Sequence, residues 1–203
     1  MKRGRDRLLQ ALRPHIKDER VLAALAAVPR DRFVPAELAG EAWDNVPLPI
    51  GHGQTISQPL VVARMCELLE LGRTDRVLDV GTGSGYHAAL LAWLAGHVWS
   101  IERHAALSEQ AAANLRAAGV DNVTLVVGDG ALGLPGEAPF DAINVAAAAG
   151  AAVPSALEEE LAPGGRLVAP VEDVDQRLCF VRRAGGELER RRLERVRFVP
   201  LVT

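Results

Sequence analysis

Residues 77 to 86 read Val77-Leu-Asp-Val-Gly-Thr-Gly-Ser-Gly-Tyr86, an apolar strand pattern that enters a glycine turn and leaves it as a helix. Glycines at 81, 83 and 85 let the backbone pass a bound molecule where any Cβ would obstruct it. A dinucleotide-binding turn, G-x-G-x-x-G, needs its third glycine at position 86, which is Tyr86 here. Close packing around a pyrophosphate is therefore disfavoured, and the weight shifts from NAD to S-adenosylmethionine. On spacing alone, an ordinary tight strand-to-helix connection remains the alternative.

The flanking segments extend the pattern. Val98 to Ile101 is a second apolar run ending in Glu102, about 20 residues after the turn, where an acidic side chain can accept both hydroxyls of a ribose. Its bland alternative is a solvated strand-end carboxylate. Val123 to Val127 ends in Gly128-Asp129-Gly130, which puts another acceptor at the C-terminal edge where open α/β sheets bind ligands, although Asp and Gly are also ordinary turn residues. Three such endings in register are hard to explain as independent turns.

Strand patterns at Arg76–Val80, Val98–Ile101, Val123–Val127, Ala142–Val145 and Arg166–Pro170 alternate with helical ones at Pro59–Leu71, Tyr86–Ala95, Ala105–Ala118 and Pro154–Leu161. This rhythm predicts an α/β fold, a Rossmann-like, doubly wound and mostly parallel sheet with right-handed crossovers. Leu8–Arg13 and Asp18–Val28, with Asp18 as an N-cap and Pro29 as a stop, predict a small N-terminal helical layer. Residues 29 to 59 carry too much Pro and Gly for a long regular element, yet Trp43, Leu48 and Ile50 argue against disorder, so a functional loop is expected. After Pro170, Leu178–Val181, the turn Ala184-Gly-Gly-Glu187 and the alternating Arg195–Leu201 predict a C-terminal antiparallel strand pair. One domain over 1–203 is expected: 1–58 as helices and loop, 59–170 as cofactor-binding core, 171–203 as terminal strands. The run Glu189-Arg-Arg-Arg192 reads as a solvated turn or strand edge.

Bulk properties narrow the function. The chain has 203 residues, 49% of them apolar, and a formal net charge of −3; nothing electrostatic argues for a nucleic-acid partner. No apolar run reaches the roughly 20 residues that cross a bilayer, and Leu8–Leu12 is too short and too interrupted for a signal peptide. Cys66 and Cys179 stand far apart and read as small core residues in a reducing compartment. The five histidines show no ligand spacing, so no metal is expected.

The stretch Pro47-Leu-Pro-Ile-Gly-His-Gly-Gln-Thr-Ile-Ser-Gln-Pro59, followed by 77–86, resembles the protein-L-isoaspartate O-methyltransferase family. Further matches run along nearly the whole chain: Arg32-Phe-Val-Pro35, Ile101-Glu-Arg103, Gly128-Asp-Gly130, Pro163-Gly-Gly-Arg-Leu-Val168, Gln176 with Leu178, and Phe198-Val-Pro-Leu201. The resemblance implies a cytoplasmic, monomeric repair enzyme that uses S-adenosyl-L-methionine, releases S-adenosyl-L-homocysteine, and methylates the α-carboxylate of L-isoaspartyl residues in damaged proteins and peptides. The ester then collapses to a succinimide without the enzyme, and hydrolysis returns part of it to aspartyl. By the same match Ser57 takes the active-site serine position. Gln54, Thr55, Asp79, Gly81, Thr82, Gly83, Gly85, Glu102, Asp129 and Gly130 are expected at the cofactor, with Asp129 toward the adenine amino group, and Ile56, Ser57, Val199 and Leu201 at the peptide. Three positions depart from the family pattern: Trp43 where a tyrosine is usual, Ala146 where a threonine often follows the fourth strand, and Glu172 where a glycine commonly follows Pro-Val.

The chemistry suits these residues. A carboxylate of pKa about 4 is already ionised at neutral pH and needs no strong general base, which accounts for a sequence without a catalytic histidine or cysteine constellation. Ser57 could hold one carboxylate oxygen, or merely cap the helix that begins at Pro59. Two other functions stay open at this level. A methyltransferase that makes isoaspartate in a specific peptide would carry an added recognition segment, whereas the chain closes directly after Phe198-Val-Pro-Leu201; a binding module would take cofactor without turnover.

Overall fold

The computed structural model describes residues 2–202. Helices α1 (Lys2–Leu12) and α2 (Glu19–Ala27) form the N-terminal layer. Asp18 caps α2 as its position predicts, its carboxylate accepting the Arg20 amide at 2.8 Å. Helix α1 starts ahead of the apolar pattern because its first turns are charged and only Leu8 and Leu12 are buried. Between Val28 and Gln58 lie two 3-10 turns, Arg30–Arg32 and Ala36–Leu38, and an antiparallel hairpin, β1 (Leu48–Gly51) and β2 (Gln54–Ile56). The hairpin was not legible in the sequence. Gly51, His52 and Gly53 turn it with three successive positive φ angles of 91°, 51° and 69°.

The main sheet contains β3 (Arg76–Val80), β4 (His97–Glu102), β5 (Val123–Val127), β6 (Phe140–Val145), β7 (Leu161–Glu172), β8 (Gln176–Ala184) and β9 (Glu187–Arg195), in the spatial order β5-β4-β3-β6-β7-β8-β9. The first five strands pair in parallel, and β7-β8-β9 are antiparallel. Helix α3 (Pro59–Leu69) leads into β3, and helices α4 (Tyr86–Leu94), α5 (Ala105–Ala118) and α6 (Ser155–Glu159) lie in the crossovers β3–β4, β4–β5 and β6–β7. Strand alternation feeds two cores. Val77, Val98 and Ala142 face the N-terminal helices with α3 and α4, while Leu78, Trp99 and Ile143 face the α6 side. Helix α4 is buried nearly all round, which its Ala-Ala-Leu-Leu run permits.

The chain leaves β3 toward β4 and β5, then returns to the other flank of β3 to lay down β6. The crevice above the carboxyl ends of β3 and β6 is the topological switch point, where open α/β sheets bind ligands.

The sequence reading needs correcting at the C-terminal end. The helix expected at Pro154–Leu161 stops at Glu159, and β7 begins at Leu161, paired with Phe140, well before Arg166. The expected strand Arg195–Leu201 is not one; the second strand of the terminal hairpin is Glu187–Arg195. Its only apolar residues, Leu188 and Leu193, are out of period, so it carries no alternation. It pairs as a charged edge strand, of the kind that resists edge-to-edge association. Residues 196–201 instead drape over the carboxyl end of the sheet. The Phe198 amide donates to Gln176 Oε1 at 2.7 Å, Ala148 N–H to the Val199 carbonyl at 2.8 Å, and Leu201 N–H to the Ala148 carbonyl at 2.7 Å.

Candidate active site

Above the switch point lies a cleft of about 590 Å³, counting its open mouth. Its floor is the end of β3 with Gly81 and Gly83, one wall is Glu102 to His104, and the other is Ala146 and Ala147. The hairpin covers it through Gln54 and Thr55, and the draped segment through Val199 to Val202. Gly81, at φ +92°, needs its lack of side chain for conformation. Gly83, at φ +54°, needs it for conformation too, and a Cβ there would press on Ile50 Cδ1 of the hairpin at 3.2 Å. Gly130 is required because a Cβ there would collide with Val80 Cγ1.

Glu102 is 6% exposed. Its Oε2 accepts the Gly83 amide at 2.9 Å and its Oε1 the His104 amide at 3.0 Å, so the carboxylate ties the end of β4 to the glycine turn. Each oxygen keeps a lone pair for the cleft. Glu102→Ala is expected to weaken S-adenosylmethionine binding at least tenfold, because hydrogen bonds to a charged acceptor are worth about 1.5–3 kcal/mol each. Calorimetric titration reads this directly, and an unchanged dissociation constant removes Glu102 from the site.

Not every expected residue faces the cleft. Gly85 backs onto α5, where a Cβ would come within 3.3 Å of Ala111 Cβ and Leu115 Cγ, so its role here is helix packing. Asp129 spends one carboxylate oxygen capping the turn that follows, accepting the Ala131 amide at 2.9 Å, and its neighbour Gly130 forms the lining instead. Thr82 and Ile56 line only a narrow inner crevice. Leu201 borders the cleft rather than the peptide-side groove.

Asp79 lies beneath the site. Strand register sets Ser100 on β4 and Asn144 on β6 on either side of it, and both donate to its carboxylate at 2.7 Å. Ser100 Oγ meets Thr82 Oγ1 at 2.6 Å, which carries the network to the glycine turn. Asn144 also reaches His87 Nδ1 at 3.2 Å. Burial pushes the Asp79 carboxyl up to about 6, with Glu102 adding to the rise against the two hydrogen bonds, and burial pushes His87 down to about 3, so its imidazole is neutral at physiological pH. A carboxyl whose native pKa exceeds its unfolded value costs nothing below about pH 4 and costs most above the native pKa. The gap corresponds to about 3 kcal/mol. The stability difference between the ligand-free wild type and Asp79→Asn should therefore shift in favour of the variant by up to that amount between pH 4 and 7. Denaturant midpoints across the range check it; a flat difference means Asp79 does not carry a raised pKa.

A second groove, about 980 Å³ with its open mouth, is lined by Ser57, Gln58 and Val61 on one side and by Arg195 to Val199 on the other. It meets the cleft at Thr55, Ala146 and Val199, which line both. The departure at Ala146 thus falls at the junction itself. Trp43 lies away from it, buried in the N-terminal core beside Gly4. Glu172 accepts Gln176 Nε2 at 2.9 Å and so steadies the residue that holds Phe198.

Ser57 does not cap α3. That helix starts after Gln58 with no side-chain cap of its own, and Asn45 Oδ1 accepts the Leu60 amide at 3.0 Å from across the loop. The Ser57 hydroxyl has no hydrogen-bond partner among the described residues, and Ser57 lines both the groove and the inner crevice beside the glycine turn. Its backbone is held from below. Arg30, fully buried, donates to the carbonyls of Ala42, Val46 (3.2 Å) and Ser57 (3.0 Å), with its guanidinium 5.6 Å from the centre of the Tyr86 ring.

A parallel sheet whose first strand runs into a glycine turn, with a buried carboxylate at the end of the next strand and a second groove opening on the same point, defines an S-adenosylmethionine-dependent methyltransferase. The donor set agrees: glycine backbone for close approach, a carboxylate for a diol, and no basic residue within the turn for a pyrophosphate. The sequence pattern of the Protein-L-isoaspartate(D-aspartate) O-methyltransferase family matches residues 3–203, and the chain belongs to that family. It is 54% identical over 195 residues to a protein-L-isoaspartate O-methyltransferase of Aeromonas hydrophila, covering 96% of this chain and 95% of the relative. With one of Aromatoleum aromaticum it shares 52% over 203 residues, covering 99% and 93%. Two solved structures share the fold at TM-scores of 0.88 and 0.83. The first, a protein-L-isoaspartate O-methyltransferase, is 27% identical and is matched over 98% of this chain and 66% of its own length. The second, from Plasmodium falciparum, is 28% identical, is matched over 96% of both chains, and is in complex with S-adenosyl-L-homocysteine.

Proposed function

We infer that the chain transfers a methyl group from S-adenosyl-L-methionine to the α-carboxylate of L-isoaspartyl residues in damaged proteins and peptides, leading through a succinimide back to aspartyl. One observation carries the reading beyond the family match: the cofactor cleft and the Ser57 groove meet at Thr55 and Ala146, which line both. The bound cofactor would supply an electrophilic methyl. Gly81, Gly83 and Glu102 would hold it, with Gln54 and Thr55 closing over it. Ser57 would orient the accepting carboxylate by a hydrogen bond to one oxygen, leaving the other free to attack. Placement of this kind can supply about 7–11 kcal/mol, and an ionised carboxylate asks for little more.

The test is methyl transfer to paired peptides identical except for aspartyl or isoaspartyl at one position. Transfer to the isoaspartyl member alone is expected. Transfer to the aspartyl member would favour the isoaspartate-forming alternative, and cofactor binding without transfer to either would leave a binding module.

The proposal extends to a monomeric, cytoplasmic enzyme of one domain, without a nucleic-acid partner. Cys66 and Cys179 are buried and unpaired, as suits a reducing compartment, and no helix among the described residues is long and apolar enough to cross a membrane.

A further inference from the structure

The arginines at the C-terminal end of the chain are largely spoken for. Arg177 and Arg195 hold Asp175, Arg190 holds Glu158, Arg192 holds Asp173, and Arg191 lies 4.7 Å over the Phe180 ring. Arg182 and Arg197 have no such partner, and of the two only Arg197 borders the Ser57 groove. It is exposed, and no carboxylate of the described residues pairs with it. No acidic residue lines that groove at all. Glu194, in the adjoining depression, is already held by Arg64 at 2.9 Å.

From this arrangement we propose that Arg197 is a specificity-determining residue that pairs with an acidic side chain flanking the isoaspartyl residue, so that the enzyme favours acidic over basic damaged sites. The proposal rests on the assignment of the Ser57 groove to the peptide. The groove that Ser57 lines also carries this unneutralised positive charge, and the backbone of 197 is fixed between two anchored neighbours: Val196 N–H donates to the Gln176 carbonyl and Phe198 N–H to its side chain. A substrate carboxylate there gains a partner without displacing an internal one, whereas a lysine meets like charge. The bland alternative is a solvated arginine that touches nothing.

The test crosses enzyme charge with substrate charge. Isoaspartyl peptides identical but for one Glu, Gln or Lys within three residues of the acceptor are assayed with wild type, Arg197→Ala, Arg197→Glu and, as a control away from the groove, Arg191→Ala. Wild type and the control should favour the Glu peptide over the Lys peptide by about three- to tenfold in kcat/KM, carried by KM and shrinking with added salt. Arg197→Ala should abolish the difference between the Glu and Lys peptides while leaving S-adenosylmethionine affinity within about twofold, and Arg197→Glu should invert it. A wild type indifferent to flanking charge, or a preference that survives in Arg197→Ala, overturns the proposal. So does an equal loss on all three peptides, which would mean Arg197 meets the accepting carboxylate itself. Transfer without preference leaves the isoaspartyl activity standing; failure to methylate any of the peptides overturns both.

Discussion

Ser57→Ala is expected to fold and to bind S-adenosylmethionine like the wild type, yet to lose about 10- to 1,000-fold in kcat/KM on an isoaspartyl peptide, or about 1.4–4 kcal/mol of transition-state stabilisation. The structure sharpens this because the competing role has another owner. A serine cap would contribute about 1 kcal/mol to stability, but the helix amide it would have bonded is taken by Asn45. Replacing a hydroxyl with no internal partner should move the unfolding free energy by no more than about 0.5 kcal/mol. Single-turnover methyl transfer and a denaturation midpoint, measured on one preparation, separate the roles. Wild-type turnover with a lowered midpoint would refute the assignment to the reaction.

What the sequence made legible, and what it hid, divides along physical lines. β3 and α5 fall where their patterns put them, at Arg76–Val80 and Ala105–Ala118, because a buried parallel strand is a short apolar run and a crossover helix is bounded by its turns; β5, at Val123–Val127, is a half-exposed edge strand that its β-branched residues still mark. The terminal strand β9 buries almost nothing and so leaves no periodic trace; only the glycine pair at 185–186 announces it. Around the site, the glycine turn and Glu102 were readable because backbone conformation and a strand-end carboxylate are local signals. Ser100 and Asn144 were not singled out, although each interrupts an apolar run, 98–101 and 142–145, because their meaning arises only when register brings them against Asp79. Gly85 shows the converse: its spacing fits a ligand turn, and its neighbour is a helix.

Arg30 is the residue whose importance sequence pattern conceals most, since an arginine beside Pro29 reads as surface charge. In the fold it has no exposure, and burial lowers its pKa against the raising influence of Tyr86 and Asp44. A guanidinium remains charged in a protein interior, and its five fixed donors can serve several carbonyls at once. Here they bind Ala42, Val46 and Ser57, three points on the irregular stretch that leads to the groove. Arg30→Met keeps the apolar volume and removes every donor, leaving the buried Ala42 carbonyl and the part-buried carbonyls of Val46 and Ser57 without this partner. At about 1–3 kcal/mol for a buried unsatisfied group and less for the two that water can reach, offset by relief of the buried charge, the net loss should be about 2–4 kcal/mol. Arg30→Lys retains the charge, but one ammonium cannot span the same three acceptors, so it should recover only part of that loss. Turnover per folded molecule should fall as well in Arg30→Met, because the Ser57 backbone loses its tether, while S-adenosylmethionine affinity should change much less, since Arg30 does not line the cleft. Denaturant midpoints with unchanged m-values, together with single-turnover rates corrected for the folded fraction, measure the two effects separately. A midpoint shift below about 1 kcal/mol would show that the loop holds its shape without Arg30. A large shift with intact turnover would show that the tether stabilises the fold without positioning Ser57.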